Sequence, residues 1–173
     1  AVPGMQAAID LLARLREATG DCVTTFEYLP RIAVEFTIRH IPGVSDPLGV
    51  PHPAYVLCEV STARHDPHLR GLLEDALGAA IDHGDAIEAT FAESISQRQA
   101  LWRLRESVPE AQRHEGASIK HDVAVPVAAL PAFLHKASAA VAQVAPSARL
   151  VAYGHVGDGN LHFNLSEPAG GGD

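Results

Sequence analysis

Cysteine is scarce in this sequence. The 173 residues include only two, Cys22 and Cys58, and each lies inside an apolar, strand-like run. Cysteines in such runs usually behave as small buried hydrophobic residues, and proteins of reducing compartments rarely contain disulfides. We therefore expect two buried free thiols rather than a disulfide, and a cytoplasmic protein.

Basic residues are also in deficit. The chain has 13 lysines and arginines against 21 acidic residues, which gives a formal net charge of −8. A protein whose main partner is a nucleic-acid backbone or an anionic membrane usually carries the opposite charge. Nucleic acid is therefore not expected as a partner, and an anionic substrate would have to be attracted by local cations.

Long apolar runs and targeting segments are not found either. No stretch approaches the ~18 to 20 apolar residues that a bilayer span requires, and the N-terminus does not resemble a signal peptide. This predicts that the protein has no integral membrane segment. The sequence begins at Ala1 rather than methionine and ends in a glycine-rich tail, so we expect a fragment of a longer protein.

Common catalytic and nucleotide-binding motifs are missing as well. The sequence contains no HExxH, P-loop or GxGxxG motif and no Ser/His/Asp or Cys/His arrangement. A hydrolase or a nucleotide-binding protein therefore has no support. A metallohydrolase would also need a carboxylate base near its histidines, and the one candidate, Glu167, lies beyond the predicted pairing of the last hairpin.

The apolar content, 47% of the chain, suffices for one domain over residues 1–173. Helical periodicity and apolar runs predict the secondary structure. The predicted helices are 4–19, 29–40, 66–83, 94–114 and 127–144, and the predicted strands are 22–26, 54–61, 86–91, 119–125, 149–155 and 161–165. This alternation predicts an α+β fold of ferredoxin-like type, with an antiparallel sheet and helices packed on one face. Several strand orders fit the pattern.

The most specific local feature is the segment 154–162, with the sequence GHVGDGNLH. Asp-Gly between alternating apolar residues is the strongest short signal for a two-residue hairpin turn. With Asp158 and Gly159 as the turn, His155 faces His162 and their Cβ atoms lie roughly 4.5–5.5 Å apart. Both imidazoles would then bind one divalent ion, although a catalytic zinc site takes three protein ligands. The alternative is a polar hairpin face with hydrogen-bonded histidines.

The other histidines show no ligand spacing on a common face. His65 and His68 come nearest, because they are three residues apart at the start of a predicted helix. We interpret both as solvated surface residues.

Two cations are candidates for binding an anionic substrate. Arg105 lies mid-helix beside Leu101 and Trp102, where its guanidinium would either clamp a carboxylate or extend into solvent. Lys120 lies in a predicted strand and shares a face with Asp122. It would either form a simple ion pair with Asp122 or supply a second cation that Asp122 holds in place.

Three segments together resemble the C-terminal domain of FAD-linked oxidases, a family that includes D-lactate dehydrogenase, the glycolate oxidase FAD subunit and D-2-hydroxyglutarate dehydrogenase. The segments are residues 101–106 (LWRLRE), 120–126 (KHDVAVP) and 154–164 (GHVGDGNLHFN). The resemblance extends through most of the chain, including residues 25–27 and 55–59. The histidine-containing segment is its most specific part.

The resemblance implies roles for individual residues. His155 and His162 would bind a divalent metal, usually zinc, Asn164 would contact the substrate, and Arg105 and Lys120 would bind its carboxylates. The family oxidises a D-2-hydroxyacid, such as D-lactate, glycolate or D-2-hydroxyglutarate, to the 2-oxoacid by hydride transfer to FAD. The expected partners are this small-molecule 2-hydroxyacid and an FAD-binding domain of the same full-length chain. The fragment alone is expected to be inactive, and its sequence is compatible with a homodimer.

Two departures from the family pattern affect these expectations. The family has a metal-binding glutamate and a neighbouring histidine in a Glu-His-Gly motif after the hairpin, and this chain stops before such a motif, so we expect weak metal occupancy or none. Four residues after the clamp arginine, 2-hydroxyglutarate enzymes often have a hydroxyl residue, whereas this chain has Pro109. The alternative function is a non-catalytic ferredoxin-like module that binds a metabolite or a partner protein.

Overall fold

A computed structural model of the chain describes residues 1–63 and 66–170, so His65 and the last three residues lie outside the described part. Its strands are β1 (Val23–Pro30), β2 (Ala54–Val60), β3 (Ser118–Ile119), β4 (Asp122–Ala124), β5 (Arg149–His155) and β6 (Asn160–Ser166). They form one antiparallel sheet in the order β2-β1-β5-β6-β3, and β4 also pairs with β6. His68 is exposed, as predicted.

Several helix ends follow from local sequence signals. The helices are α1 (Met5–Thr19), α2 (Arg31–His40), α3 (Leu69–His83), α4 (Ile95–Glu106), α5 (Val108–His114) and α6 (Leu130–Val144), and a 3-10 turn at Val127–Ala129 precedes α6. α1 ends at Gly20, whose φ of 63° is a left-handed conformation that favours glycine. α4 begins after Ser94, whose hydroxyl accepts the Gln97 amide at 3.2 Å.

Helices cover both faces of the sheet. On one face α1, α3 and α6 pack against residues such as Phe26 and Leu161. On the other face α2, α4 and α5 pack against residues such as Leu29 and Val151. Neighbouring side chains of a strand point to opposite faces, so Tyr28 and Leu29 belong to different cores. The predicted α+β fold with an antiparallel sheet is confirmed, but the expectation of helices on one face is corrected, because the central strands are apolar on both faces.

Two predicted elements are each divided in the structure, and the predicted strand 86–91 has no regular structure. The predicted helix 94–114 divides at Ser107 into α4 and α5. Pro109 explains the division, because it lacks an amide hydrogen and its ring clashes with the carbonyl four residues earlier. The predicted strand 119–125 is interrupted at Lys120 and His121, which leaves β3 and β4 as separate short strands.

One helical stretch, Val127–Val144, is long and apolar enough to cross a membrane, with a mean hydropathy of 1.3 over 18 residues. The expectation that the sequence has no such stretch is therefore wrong with respect to length and composition. Leu130 is its only fully buried residue. The helix packs on the sheet through Phe133 and Leu134, although only 6% of the stretch is buried. One such helix is weak support for a membrane span.

The two cysteines are free thiols, as predicted. Both are half-buried; Cys22 directly precedes β1 and Cys58 lies in β2. Burial raises the pKa of Cys58 to about 12, and the charge of Glu59 acts in the same direction. The Cys58 thiol is therefore un-ionised at neutral pH.

Candidate active site

The predicted hairpin is formed by β5 and β6, but its register differs from the predicted one by two residues. Tyr153 lies opposite His162, where the sequence predicted His155. The ladder ends at this pair, and beyond it Gly159 packs on the Val125 carbonyl, where an added Cβ would lie 2.0 Å from the oxygen. A shift of two residues keeps every side chain on its face. His155 and His162 therefore share a face as diagonal neighbours rather than as a directly opposed pair.

Glu27 of β1 is the centre of a buried polar cluster on this face. Its side chain is fully buried, and Glu27 lies opposite His155 in the β1–β5 ladder. The Nε of Arg105, from α4, donates to Glu27 Oε2 at 2.6 Å, and His155 Nδ1 contacts Oε1. A buried carboxylate needs such partners because burial of an unpaired charge costs several kcal/mol. The cluster therefore ties α4, β1 and β5 together.

Arg105 is buried rather than extended into solvent, with 8% of the residue exposed. Its guanidinium carbon lies 5.0 Å from the centre of the Tyr153 ring, within range of a cation–π contact. Among the described residues its one hydrogen-bond acceptor is Glu27, bonded through Nε. Its two terminal amino groups thus donate to no described residue and can still bind a carboxylate in the bidentate manner that guanidinium favours.

His162 is positioned by a neighbouring strand and by an aromatic ring. Its Nδ1 lies 2.5 Å from Oδ1 of Asp122, the residue opposite it on β4. The ring centre of Tyr153 is 4.9 Å from that of His162. Burial raises the pKa of Tyr153, although Arg105 opposes the shift. The Tyr153 hydroxyl is therefore un-ionised at neutral pH, and its ring contacts both Arg105 and His162.

Asn164 lies deeper on the same face, in a second buried polar group. Its Nδ2 donates to Gln112 Oε1 at 2.9 Å, and Gln112 Nε2 donates to the Ser166 hydroxyl at 3.4 Å. The Oδ1 of Asn164 is buried without a hydrogen-bond partner in the described part of the chain. Because buried polar atoms are normally paired, this oxygen marks a position that suits a hydrogen-bond donor from a ligand.

Lys120 lies in the break between β3 and β4 and is exposed. Neither predicted relation with Asp122 is found among the described residues, because Asp122 contacts His162 instead. Lys120 has no hydrogen bond or ion pair with any described residue. The structure therefore leaves its ammonium group free in solvent near the strand that carries Asp122.

The two predicted metal ligands are not joined by a third. Among residues 1–63 and 66–170, no group of three histidine, cysteine, aspartate or glutamate side chains is arranged to hold a metal ion. The two histidines nevertheless have the environment typical of metal ligands. Nδ1 of each faces a carboxylate, Glu27 for His155 and Asp122 for His162, and such contacts orient a ligating imidazole so that Nε2 is available.

Glu27 and Gln112 had no assigned role in the sequence prediction. Glu27 carries one recognisable signal, since it is a charged residue in the middle of the apolar part of β1 and such residues are rarely buried without a partner. Gln112 carries none, because polar residues are common on short helices. The burial of both depends on contacts with distant parts of the chain.

Comparison with known proteins identifies the class to which this site belongs. The description of the matching family is "FAD linked oxidases, C-terminal domain", and the match covers residues 1–170. The chain therefore belongs to this family, and the family implies FAD as the cofactor of the proteins that contain the domain.

Its relatives include D-2-hydroxyglutarate dehydrogenases. A probable D-2-hydroxyglutarate dehydrogenase of Oryza sativa subsp. indica is 32% identical over 156 residues, which cover 90% of this chain and 27% of the relative. The D-2-hydroxyglutarate dehydrogenase of Xanthomonas citri pv. viticola is 30% identical over 168 residues, which cover 97% of this chain and 34% of the relative. That of Stutzerimonas stutzeri is 33% identical over 149 residues, 84% of this chain and 31% of the relative. The chain thus spans about a third or less of these relatives.

Proposed function

We propose that this chain is the substrate-binding part of an FAD-dependent D-2-hydroxyacid dehydrogenase, which oxidises a D-2-hydroxyacid to the 2-oxoacid. Family membership supports FAD as the oxidant. The names of the relatives make D-2-hydroxyglutarate the first substrate to test, before D-lactate and glycolate. The observation that carries the proposal is the buried Arg105 guanidinium, with two unengaged amino groups, on the sheet face that also carries His155, His162 and Asn164.

Arg105 binds the substrate carboxylate next to C2. Glu27 holds the guanidinium through Nε, and the Tyr153 ring limits its movement from one side. A cation held in this way fixes the orientation of C2 rather than merely attracting the acid. Lys120, exposed and unpaired among the described residues, would bind the distal carboxylate of a dicarboxylic substrate. Because Lys120 is not held in place, its contribution is weaker and depends more on salt concentration.

His162 and Asn164 act on the 2-hydroxyl group. Asp122 beside Nδ1 favours the tautomer in which Nε2 carries the lone pair, so His162 can accept the hydroxyl proton. Before this transfer, Asn164 Oδ1, which has no partner in the described part of the chain, accepts the hydrogen bond of the same hydroxyl. Loss of the proton leaves an alkoxide, from which the C2 hydride departs as the carbonyl forms.

FAD, when bound, accepts that hydride. The described residues of this face include no glycine-rich turn at a helix start of the kind that holds a diphosphate. The described polar residues of this face, with the Arg105 guanidinium among them, suit a small carboxylate rather than a dinucleotide. We therefore assign FAD to another part of the full-length protein, whose domain completes the site.

A divalent metal, with zinc as the first candidate, fits the site in part. His155 and His162 would hold it through Nε2, and Glu27 and Asp122 would orient the two rings. With its Nε2 lone pair on the ion, His162 would no longer be the proton acceptor described above. At least one further ligand is needed for a catalytic zinc site. A bound ion would act as a Lewis acid toward the 2-hydroxyl group.

The test is anaerobic reduction of the flavin in the full-length protein. D-2-hydroxyglutarate, D-lactate and glycolate are added separately, with the L enantiomers of the two chiral acids as controls. We expect bleaching of the flavin absorbance by a D-2-hydroxyacid, and Arg105→Lys should raise KM at least about tenfold because a guanidinium fork is lost. Arg103→Lys on the same helix, whose side chain is exposed and donates to the Pro42 carbonyl, is the matched control. Lack of bleaching by every 2-hydroxyacid would overturn the proposal.

A further inference from the structure

A groove of about 530 Å³ runs along the outer edge of β2. β2 is an edge strand of the sheet, and among the described residues its outer edge carries a single backbone bridge, between Ala54 and Val2. The opposite wall is the segment 88–92. The sequence predicted a strand at 86–91, but neither stretch has regular structure. A void of this size is far larger than the packing defects of a protein interior. The groove therefore lacks an occupant.

The first two residues of the chain lie between these walls. The Val2 amide donates to the Ala54 carbonyl at 2.9 Å, in an antiparallel bridge. On the other side, the Ile87 amide donates to the Ala1 carbonyl at 2.9 Å, and the Ala1 nitrogen donates to the Glu88 carbonyl at 2.6 Å. Ile87 and Glu88 thus both face Ala1. Two consecutive residues opposite one residue of the neighbouring strand form an antiparallel β-bulge. Ala1 and Val2 are thus bonded on both sides, as the end of a central strand would be.

We propose that the groove holds a further β-strand, made of about six residues that directly precede Ala1 in the full-length protein. The bridge between Val2 and Ala54 sets the register. Each residue further upstream lies opposite the next residue of β2, so that the fourth upstream residue lies opposite Glu59. The strand runs antiparallel to β2 on one side and to the segment 88–92 on the other. It pairs the backbone groups of two strand edges that are otherwise open.

Apolar side chains line the groove on both faces of the sheet. They come from α3 on one side and from α4 on the other, and include Leu73, Leu77, Leu101 and Leu104. A strand that is covered on both faces is apolar at nearly every position. The upstream segment is therefore expected to be a continuous run of residues such as valine, isoleucine and leucine, without charges.

A small-molecule ligand fits the groove less well. The carboxylate of Glu59 is already bound by Arg98 and by Trp102, whose Nε1 donates to it at 2.8 Å. Small-molecule sites normally present a few convergent polar side chains that await a ligand. In this groove the groups that await hydrogen bonds are backbone N–H and C=O groups along β2 and the segment 88–92. A peptide strand pairs such groups.

The strand would join the sheet of this domain to the part of the protein that precedes it. β2 pairs with β1, the strand that carries Glu27. The preceding domain would therefore be anchored two strands from the polar cluster. This inference goes beyond the proposed function and does not depend on the substrate.

The test is disulfide formation in the full-length protein with Cys22 and Cys58 replaced by serine. One variant has cysteine in place of Glu59 and of the fourth residue upstream of Ala1. The matched control has cysteine in place of Glu59 and of the third upstream residue, which the register places on the opposite face. We expect an intramolecular disulfide in the first variant at a rate at least about tenfold above the control, because the two Cβ atoms are directly opposed only there.

Hydrogen exchange of the unmodified full-length protein provides a second measurement that needs no substitution. The amides of Ala54–Val60 should exchange at least about a hundredfold more slowly than those of exposed loops, since both edges of β2 would be paired. Equal disulfide rates in the two variants, or no disulfide in either, would overturn the proposed strand. Intermolecular disulfides would overturn it in favour of a second copy of the chain, and fast exchange along β2 would contradict any stable strand in the groove.

Discussion

Glu27 and Arg105 form a buried ion pair, with 2.6 Å between Oε2 and Nε, across 78 residues of sequence. The pair connects β1 to α4 and leaves the far end of the guanidinium without a partner among the described residues. The same contact thus serves stability and, as we propose, substrate orientation. Its two contributions can be separated by experiment.

Removal of one member should destabilise the chain more than removal of both. Arg105→Met should lower the free energy of unfolding by about 3 kcal/mol, because the buried Glu27 carboxylate keeps only the His155 imidazole as a side-chain partner among the described residues. The double variant Glu27→Leu, Arg105→Met should lose less than the sum of the two single variants, since no unpaired charge remains. Denaturant unfolding of the four proteins measures this coupling.

Arg103→Met is the control for this cycle. Arg103 lies on the same helix but is exposed, so its replacement should change the free energy of unfolding by no more than about 0.5 kcal/mol. A cost for Arg105→Met no larger than that of Arg103→Met would contradict the importance of the buried pair.

Lys120 should affect substrate binding without affecting stability. In the full-length protein, Lys120→Ala should raise KM for a dicarboxylic 2-hydroxyacid by about three- to tenfold, because one exposed cation is lost. The melting temperature should not change, since Lys120 has no described partner. Lys136 is the only other lysine in the chain and is also exposed, so Lys136→Ala is the control. An unchanged KM for Lys120→Ala would remove Lys120 from the site.

Metal binding should depend on the carboxylates behind the histidines as well as on the histidines. In calorimetric titrations of the full-length protein with Zn²⁺ or Mn²⁺, His155→Ala and His162→Ala should abolish binding. Asp122→Asn should weaken binding by about 10- to 100-fold, because Asp122 orients the His162 ring. His135→Ala, at an exposed position of α6, should bind like the wild type. Equal binding by all variants would exclude a metal held by this hairpin.

Acid should destabilise the chain through Glu115. Burial acts to raise the pKa of this carboxyl, but hydrogen bonds from Arg149, His40 and Arg39 outweigh burial and hold the pKa at about 2, against about 4.5 when unfolded. A lowered pKa stabilises the folded state above the unfolded value, and this stabilisation is lost as the pH falls from about 4.5 to about 2. Glu115→Gln should therefore cost about 1–2 kcal/mol at pH 7 after allowance for solvent screening.

The difference between Glu115→Gln and wild type should shrink through the same pH interval. Urea unfolding at several pH values from 7 to 2.5 measures it. Glu106→Gln serves as the control, because Glu106 is exposed and has no described partner. A constant difference across the interval would show that Glu115 does not carry the pH dependence.

Sequence reasoning found the strands of the hairpin but not how they pair. The predicted bounds 149–155 coincide with those of β5, since alternating apolar residues between clear turn signals define a strand well. The predicted register is wrong by two residues, and in the structure Gly159 also contacts the Val125 carbonyl. That contact joins residues far apart in the sequence, so the local Asp-Gly signal could not reveal it.

The same limit applies to the candidate site. His155 and His162 were correctly predicted to share one face of the hairpin, because side-chain alternation survives a register shift of two residues. The burial of Arg105 could not be derived from its helix alone. Its partner, Glu27, lies on strand β1, 78 residues earlier. The helical pattern alone allowed either a carboxylate clamp or a side chain that extends into solvent. The division of helices between two faces also depended on strand order, which local patterns do not determine.

The pairing of β1 with β5 has a consequence for synthesis of the protein. Glu27 lies opposite His155, which the ribosome adds about 130 residues later. At about 5–20 residues per second, that edge of β1 waits roughly 6–25 s for its partner strand. We expect β1 and β2 to pair during this time, which leaves the inner edge of β1 open to other nascent chains. We expect the emerging polypeptide to need protection by a chaperone until the last hairpin leaves the ribosome and closes the centre of the sheet.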